Sequence, residues 1–265
     1  MYGEIDGNGR SLDHADIAIV SRELARHGTV LLRGFSVSLQ TFDSFSARFG
    51  ESHHATPAAA EGTVGINPHS EAHFSPLCPD LLFFYCSRPA REGGRTTVCD
   101  GVDLYRALTG RTRKKLKSAE LRWRVELKKT WFEEALALPF DAIRRRWFER
   151  APLATFADTG DAVRYELRNG PMQDTALGPA VVNGLLAIME YRNIDLERAQ
   201  KIAPSLDRHA LWEIMDAAYE VAEPIEWDAG DILVIDNARA MHGREPFEDR
   251  KRMIHRRMVW KPTVH

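Results

Sequence analysis

Two histidines and one acidic residue form the most informative pattern in the chain. His69 and Glu71 lie two residues apart, and His242 lies far towards the carboxyl end. Two imidazoles and one carboxylate are the protein ligands typical of a non-haem Fe(II) oxygenase, because they hold one face of an octahedron and leave the other for co-substrates and O2. The pattern therefore predicts a metal site with His69, Glu71 and His242 as ligands.

Strand geometry explains how two of these ligands can share one ion. Residues i and i+2 of a β-strand point to the same side, so His69 and Glu71 can bind together if Pro68 introduces a short extended segment. His73 continues this alternation, and a strand that stayed regular would offer His69, Glu71 and His73 on one face. The spacing alone therefore leaves His73 open as a ligand.

His242 follows a segment with the features of a buried strand. Apolar residues fill 232–235, after a Gly-Asp turn at 230–231 and before polar Asp236 and Asn237. Asp236 and Asn237 are interpreted as residues that end the strand or support His242, not as ligands.

Apolar periodicity predicts the elements that position these residues. Helices are predicted from Ile17 to a stop at Gly28, over 102–108 and 111–120, and from an N-cap at Asp207. Strands are predicted over 29–32, 81–86, 96–98, 162–167, 224–227, 231–236 and 253–260. Strands on both sides of a helical region predict a mainly β fold with α (α+β), in which a double-stranded β-helix, or jelly-roll, core carries flanking helices.

Three stretches of the chain resemble one enzyme family. Residues 227–244 resemble the second-histidine segment of the taurine dioxygenase and clavaminate synthase family of Fe(II)/2-oxoglutarate oxygenases. Residues 28–35 resemble its amino-terminal strand, and residues 88–97 resemble the segment that follows its first two ligands. The resemblance covers both ends and the middle of the chain, so it implies a single oxygenase domain over 1–265, with a helical insertion at roughly 102–160.

The resemblance implies a ligand set and a co-substrate site. It implies Fe(II) bound by His69, Glu71 and His242, with His73 beyond the ligands, in contact with substrate or in a packing or hydrogen-bonding role. It also implies 2-oxoglutarate and O2 as co-substrates. The distal carboxylate of 2-oxoglutarate needs a planar, bidentate cation, which arginine provides better than lysine. The positions that match the family are Arg256 as the anchor, Arg252 as an accessory arginine and Thr96 as a hydroxyl partner, with Thr97 as the adjacent alternative.

The implied reaction is hydroxylation of a small molecule, with release of succinate and CO2. Desaturation, ring formation and epimerisation stay open, whereas Glu71 argues against halogenation because the related halogenases lack the carboxylate. A His-x-Glu motif resembles the branch with clavaminate synthase and free amino acid hydroxylases, so we expect an amino acid or an amino-acid-derived substrate. The alternatives are a sulfonate or aryloxyacid dioxygenase, an oxygenase of carrier-bound substrates, and a non-catalytic binding barrel.

Composition indicates which classes of binding partner to expect. The chain has 36 basic and 38 acidic residues, which favours neither nucleic acid nor membrane as a partner. No apolar stretch approaches the roughly 20 residues that span a bilayer, and the amino terminus lacks signal-peptide features. We therefore expect a cytoplasmic protein, with homo-oligomer formation left open. Cys78, Cys86 and Cys99 are expected to be buried thiols.

The central region combines charge runs with aromatic residues. The basic segments 111–117 and 144–146 are interpreted as solvated helix faces. Attraction of an anionic substrate, or docking of an acidic carrier protein, is the less favoured alternative. The interleaved aromatic residues are expected mostly in the core, with one of them as a candidate for the wall of the substrate cavity; they are Trp123, Trp131, Phe132, Trp147 and Phe148.

Overall fold

The computed structural model describes residues 2–52, 56–57, 63–136, 139–150 and 155–261. Its strands are β1 Gly3–Asp6, β2 Thr29–Arg33, β3 Glu51–Ser52, β4 Thr56–Pro57, β5 Ile66–His69, β6 Leu81–Arg88, β7 Thr96–Asp100, β8 Leu121–Lys128, β9 Thr155–Asp158, β10 Ala162–Asn169, β11 Met172–Thr175, β12 Gly178–Val181, β13 Glu223–Ile225, β14 Ile232–Asp236, β15 Ala240–Arg244 and β16 Met253–Trp260. Its helices are α1 Ile17–His27, α2 Leu39–Ala47, α3 Gly101–Ala107, α4 Gly110–Ser118, α5 Lys129–Leu136, α6 Phe140–Arg150, α7 Leu196–Ile202 and α8 Arg208–Val221. Among the described helices, none is long and apolar enough to cross a membrane.

Two β-sheets carry the core. The larger sheet has the strand order β1-β2-β14-β6-β16-β3, with β4 also paired to β16, and the smaller sheet has the order β13-β7-β15-β5. Successive strands alternate between the two sheets, from β5 through β6 to β7 and again from β13 through β16. This alternation is the winding of a double-stranded β-helix, so the predicted jelly-roll with flanking helices is confirmed.

Strand β6 is buried on both faces, as its continuous apolar sequence predicts. Leu82 and Phe84 pack in the cluster that includes Val98 of the smaller sheet. Phe83 and Tyr85 point the other way and pack against aromatic residues of α2. Each such fully buried side chain stabilises the fold by roughly 1.5 to 3 kcal/mol. The larger sheet is thereby held between the barrel interior and an outer layer formed by α1 and α2.

Local capping explains where the predicted helices begin and end. Asp16 precedes α1 and accepts a hydrogen bond from the Ala18 backbone N–H, and the helix ends at Gly28, whose φ of 70° suits glycine. Asp207 caps α8 by accepting from the Ala210 N–H. Both predicted helix limits are confirmed.

The segment 102–160 is not purely helical. It contains most of α3 and all of α4, α5 and α6, but it also contains β8 and β9, which pair with β10 in a three-stranded sheet. In β8, buried Leu121 and Trp123 alternate with the more exposed Arg122 and Arg124, which is the pattern of a strand with one wet face. The expectation of a helical insertion was therefore wrong for Leu121–Lys128, where apolar and charged residues alternate over eight positions. The single-domain expectation for residues 1–265 stays a prediction.

The charged and aromatic residues of this region separate as expected. Arg111 and Lys115 of α4 both pair with Asp207, and Arg146 of α6 pairs with Glu51, so these basic faces lie at the surface. Three of the five aromatic residues are core residues and two are exposed; Trp123, Phe132 and Trp147 are buried, whereas Trp131 and Phe148 are not. Two of the cysteine thiols, those of Cys86 and Cys99, are buried as predicted, and Cys78 is half-buried.

Candidate active site

The three predicted ligands meet between the two sheets. Their ligand atoms, from His69, Glu71 and His242, lie within 4.8 Å of one another. His69 at the end of β5 and His242 in β15 are direct cross-strand partners, and their ring centroids are 4.3 Å apart. The Glu71 Oε2 atom lies 3.6 Å from His242 Nε2. This spacing suits three ligands on one face of a single metal ion.

Glu71 reaches the site from a turn and not from a strand. Strand β5 ends at His69, so the same-face argument for residues i and i+2 stops there and was wrong for Glu71. Beyond the end of β5, the Asn237 side chain binds the backbone of Glu71 as a neighbouring strand would. Its Oδ1 accepts a hydrogen bond from the Glu71 N–H at 2.8 Å, and its Nδ2 donates to the Glu71 carbonyl at 3.2 Å. Asn237 therefore supports Glu71, and not His242.

His73 lies apart from the ligand group. Ala72 has a φ of 53° and turns the chain between Glu71 and His73, so the strand alternation is lost. The Asn169 Nδ2 of β10 lies 3.3 Å from the His73 Nδ1 and donates to the His73 carbonyl at 2.8 Å, and the His73 ring packs edge-on against Trp123. Burial lowers the pKa of His73 to about 4 and keeps the ring neutral. These contacts support the packing and hydrogen-bonding role.

His69 is oriented through its backbone neighbour. The Nδ1–H of His69 donates to the Asn67 carbonyl at 2.9 Å, which leaves the Nε2 lone pair as the metal ligand. The buried Asn67 amide in turn donates to the carbonyls of Leu186 and Glu190, at 3.0 and 2.9 Å, and its Oδ1 accepts from the Tyr219 hydroxyl. Strand β5 is thereby fixed to the segment after β12 and to α8.

The charge states of the ligands suit a divalent cation. His242 is 7% exposed and lies against the Phe84 ring, and burial lowers its pKa to about 3, so it is neutral. Burial is the strongest single influence on Glu71 and acts to raise its pKa, but the Arg256 guanidinium, with Nη1 3.1 Å from Oε1, and the nearby His242 and His69 rings together outweigh it, so the pKa lies below its usual value. Neutral imidazole and ionised carboxylate are the forms that bind metals. The donor set therefore fits Fe(II).

A cavity of about 170 Å³ joins the ligands to a group of arginines. Phe84 and Ile254 supply apolar wall, and the polar lining includes His69, Glu71, Thr96, His242, Arg244, Arg252 and Arg256. All predicted site residues therefore line one space. Thr96 and Thr97 lie on opposite faces of β7, and Thr97 is not among the described residues that line the cavity.

Arg252 and Arg256 occupy different parts of this cavity. Arg256 contacts Glu71 at the metal end. Arg252 is 7% exposed, and its Nε donates to the Gly94 carbonyl at 2.8 Å, two residues before Thr96. Gly94 has a φ of 64°, and a Cβ atom there would lie 3.1 Å from the Arg252 Cδ. Glycine at this position therefore accommodates the buried arginine.

Arg244 is a cavity residue that the sequence analysis missed. It is 8% exposed, lies directly opposite Thr96 in the pairing of β15 with β7, and lines the same cavity. Arg244 lies two residues after His242 on β15, and alternate residues of a strand share a face. This spacing could have indicated that Arg244 faces the same cavity as His242.

We predict that Asn237→Ala weakens metal binding. The change removes both hydrogen bonds to the Glu71 backbone, and loss of such supporting contacts typically costs about 10- to 100-fold in metal affinity. Anaerobic titration with Co(II), followed by its visible absorption, measures this. Asn193→Ala is the matched control, since the Asn193 side chain bonds to Glu190 at the surface. Parent-like Co(II) affinity in a folded Asn237→Ala protein would show that Glu71 does not need this support.

Comparisons with known proteins agree with this geometry. The family model described as taurine catabolism dioxygenase TauD, TfdA family matches residues 3–258. Enduracididine beta-hydroxylase of Streptomyces hygroscopicus is 28% identical over 188 residues, which cover 69% of this chain and 48% of that protein. Dapdiamide synthesis protein DdaC of Enterobacter agglomerans is 24% identical over 205 residues, which cover 69% of this chain and 62% of that protein. The chain thus spans less than two thirds of either relative.

A solved structure shares the fold. AAD-2 in complex with Mn(II) and N-oxalylglycine superposes with a TM-score of 0.67 at 14% identity, covering 99% of this chain and 95% of that one. At this identity the likeness shows the fold, and the chemistry has to be argued from the residues of this chain.

Proposed function

Because the chain belongs to the taurine catabolism dioxygenase TauD and TfdA family, we propose that it is an Fe(II)- and 2-oxoglutarate-dependent oxygenase that hydroxylates an amino acid or an amino-acid-derived small molecule. The observation that carries the proposal is the convergence of His69, Glu71 and His242 on a cavity with buried arginines. When bound, Fe(II) supplies the coordination positions at which 2-oxoglutarate and O2 react, with release of succinate and CO2.

The two ends of the cavity support different roles for its arginines. In 2-oxoglutarate, two methylene groups separate the metal-chelating end from the distal carboxylate. The cation that binds this carboxylate therefore has to lie well beyond the metal ligands. Arg252 meets this condition, because its guanidinium is hydrogen-bonded to the Gly94 carbonyl, near Thr96 and away from Glu71. Arg256 lies within hydrogen-bond distance of Glu71 itself. We therefore assign the anchor to Arg252 with Thr96, where the family resemblance alone favours Arg256.

Arg256 is then available to the substrate. A cation beside Glu71 lies where the reacting molecule has to sit, and it offers a charge-assisted, bidentate contact to a carboxylate. A free amino acid carries such a carboxylate next to the carbons that would be hydroxylated. The relative named enduracididine beta-hydroxylase supports hydroxylation as the outcome. The apolar wall from Phe84 and Ile254 helps to exclude water from the reacting atoms.

A succinate assay tests the proposal. Purified protein with Fe(II) and 2-oxoglutarate is expected to form succinate slowly, and a pool of free amino acids should raise this rate. Sulfonates and aryloxyacids also carry a negative charge that Arg256 can bind, so separate pools of these acids are included. Glu71→Ala protein gives the background. Succinate at this background in every pool would refute the oxygenase assignment, whereas stimulation by sulfonates alone would keep the reaction and change the substrate class.

A further inference from the structure

Arg244 is a second buried cation at the far end of the cavity, and the function proposed above leaves it without a role. It lies opposite Thr96 in the sheet and lines the cavity with Thr96 and Arg252. Its Nη2 donates to the Val64 carbonyl at 2.9 Å. A buried guanidinium keeps its charge, so a second positive charge lies beside the anchor assigned to Arg252.

Phe247 holds the two arginines together. The guanidinium carbons of Arg244 and Arg252 lie 5.0 and 5.3 Å from the centroid of its ring. Both contacts are within the range of attractive cation–π interactions. Burial and the nearby Arg244 charge together lower the pKa of Arg252 to about 10. The aromatic ring thus keeps two like charges close to each other, and an anion between them would relieve their repulsion.

The backbone around Phe247 fixes this arrangement. Gly93 has a φ of 65°, and a Cβ atom there would lie 2.4 Å from the Pro246 carbonyl oxygen, so the chain at 93–94 approaches 246–247 closely. The Phe247 N–H donates to the Thr63 carbonyl at 2.9 Å. The ring is therefore tied to two separate segments, and the cations are positioned before any ligand binds.

We propose that Arg244 is a second binding residue for the distal carboxylate of the 2-oxo acid. The cluster of Arg244, Phe247 and Arg252 then selects 2-oxo acids with a second carboxylate over those that lack one. The inference rests on the proposed function. Two guanidinium groups can each bind one oxygen of the same carboxylate by charge-assisted hydrogen bonds. A ligand that offers a methyl group there would leave both cations buried without that anion.

A comparison of two 2-oxo acids tests this specificity. 2-Oxoglutarate and 2-oxobutyrate share the chelating end, but 2-oxobutyrate has no distal carboxylate. Calorimetric titration of Co(II)-loaded protein without O2 gives both dissociation constants. Arg244→Met should raise the constant for 2-oxoglutarate about 10- to 100-fold and leave that for 2-oxobutyrate unchanged. Arg257→Met is the control, because Arg257 is equally buried but faces the other side of β16 and pairs with Asp43.

A second measurement avoids the metal. Succinate should raise the unfolding temperature of the metal-free wild-type protein more than butyrate does, since a ligand that binds the folded state stabilises it. Arg244→Met should lose this difference, and Arg257→Met should keep it. The same experiment shows whether each variant is folded.

The outcomes separate the inference from the proposed function. Binding of neither acid to the Co(II)-loaded wild-type protein would contradict the proposed function, and the inference with it. If the wild-type protein prefers 2-oxoglutarate and Arg244→Met keeps that preference, only the role of Arg244 is overturned. Equal weakening of both acids would also overturn it, because the effect would then concern chelation or folding.

Discussion

Glu71→Ala is expected to abolish substrate-dependent succinate formation, with a loss of more than about 100-fold. Changing a residue that merely supports a metal ligand already lowers metal affinity or activity by about 10- to 100-fold. Glu71 is itself a predicted ligand and is the one anion among the three ligand groups. The change removes that anionic donor and leaves only the two imidazoles of His69 and His242. Because Glu71 lies in a turn at the cavity and not in the packed core, we expect the metal-free variant to unfold near the parent temperature. Succinate measurement and thermal unfolding together check this.

His73→Ala is the matched comparison for Glu71→Ala. It should retain iron binding and succinate formation, because the His73 ring contacts Asn169 and Trp123 and is not one of the three grouped ligands. Loss of this buried ring should instead lower the free energy of unfolding by about 1 to 3 kcal/mol. The reverse result, an active Glu71→Ala and a His73→Ala that cannot hold iron, would make this a three-histidine site. Dependence on 2-oxoglutarate would then no longer be expected.

Arg252→Gln is expected to raise the dissociation constant of 2-oxoglutarate by about 10- to 100-fold. A neutral amide cannot replace a charge-assisted contact, and hydrogen bonds to charged groups contribute about 1.5 to 3 kcal/mol. Anaerobic titration of the Fe(II) protein with 2-oxoglutarate, followed by the charge-transfer absorption of the chelate, measures the constant. Iron affinity should change little, since Arg252 lies away from the metal ligands.

Arg256→Gln should give the complementary result. We expect little change in the 2-oxoglutarate constant and a substrate KM raised by about tenfold or more, because Arg256 lies beside Glu71. If Arg256→Gln loses 2-oxoglutarate binding while Arg252→Gln keeps it, the anchor is Arg256, as the family resemblance alone predicts. The pair of variants therefore decides between the two assignments.

Local sequence patterns were sufficient for the framework of the site. The continuous apolar segments of β6 and β14 predict strands that are buried on both faces, because neither face carries polar residues that would suit contact with water. Asp207 and Gly28 mark helix ends because capping depends on the residue and its immediate neighbours. Residue type and spacing also predicted His69, Glu71 and His242 as candidate ligands, with His73 left open, since few side-chain combinations bind Fe(II) in this way.

Contacts between distant parts of the chain explain what those patterns could not predict. Glu71 was expected on a strand, yet the Asn237 amide, 166 residues away, holds it in a turn. Strand β8 alternates over eight residues, but the sheet that it forms with β10 was not expected, because the sequence does not show which later strand pairs with it. The family resemblance gave Arg256 as the anchor and Arg252 as an accessory arginine, but the contacts of Arg252 with Gly94 and of Arg256 with Glu71 favour the opposite roles. Such pairings depend on how the two sheets bring remote segments together, and no local spacing encodes them.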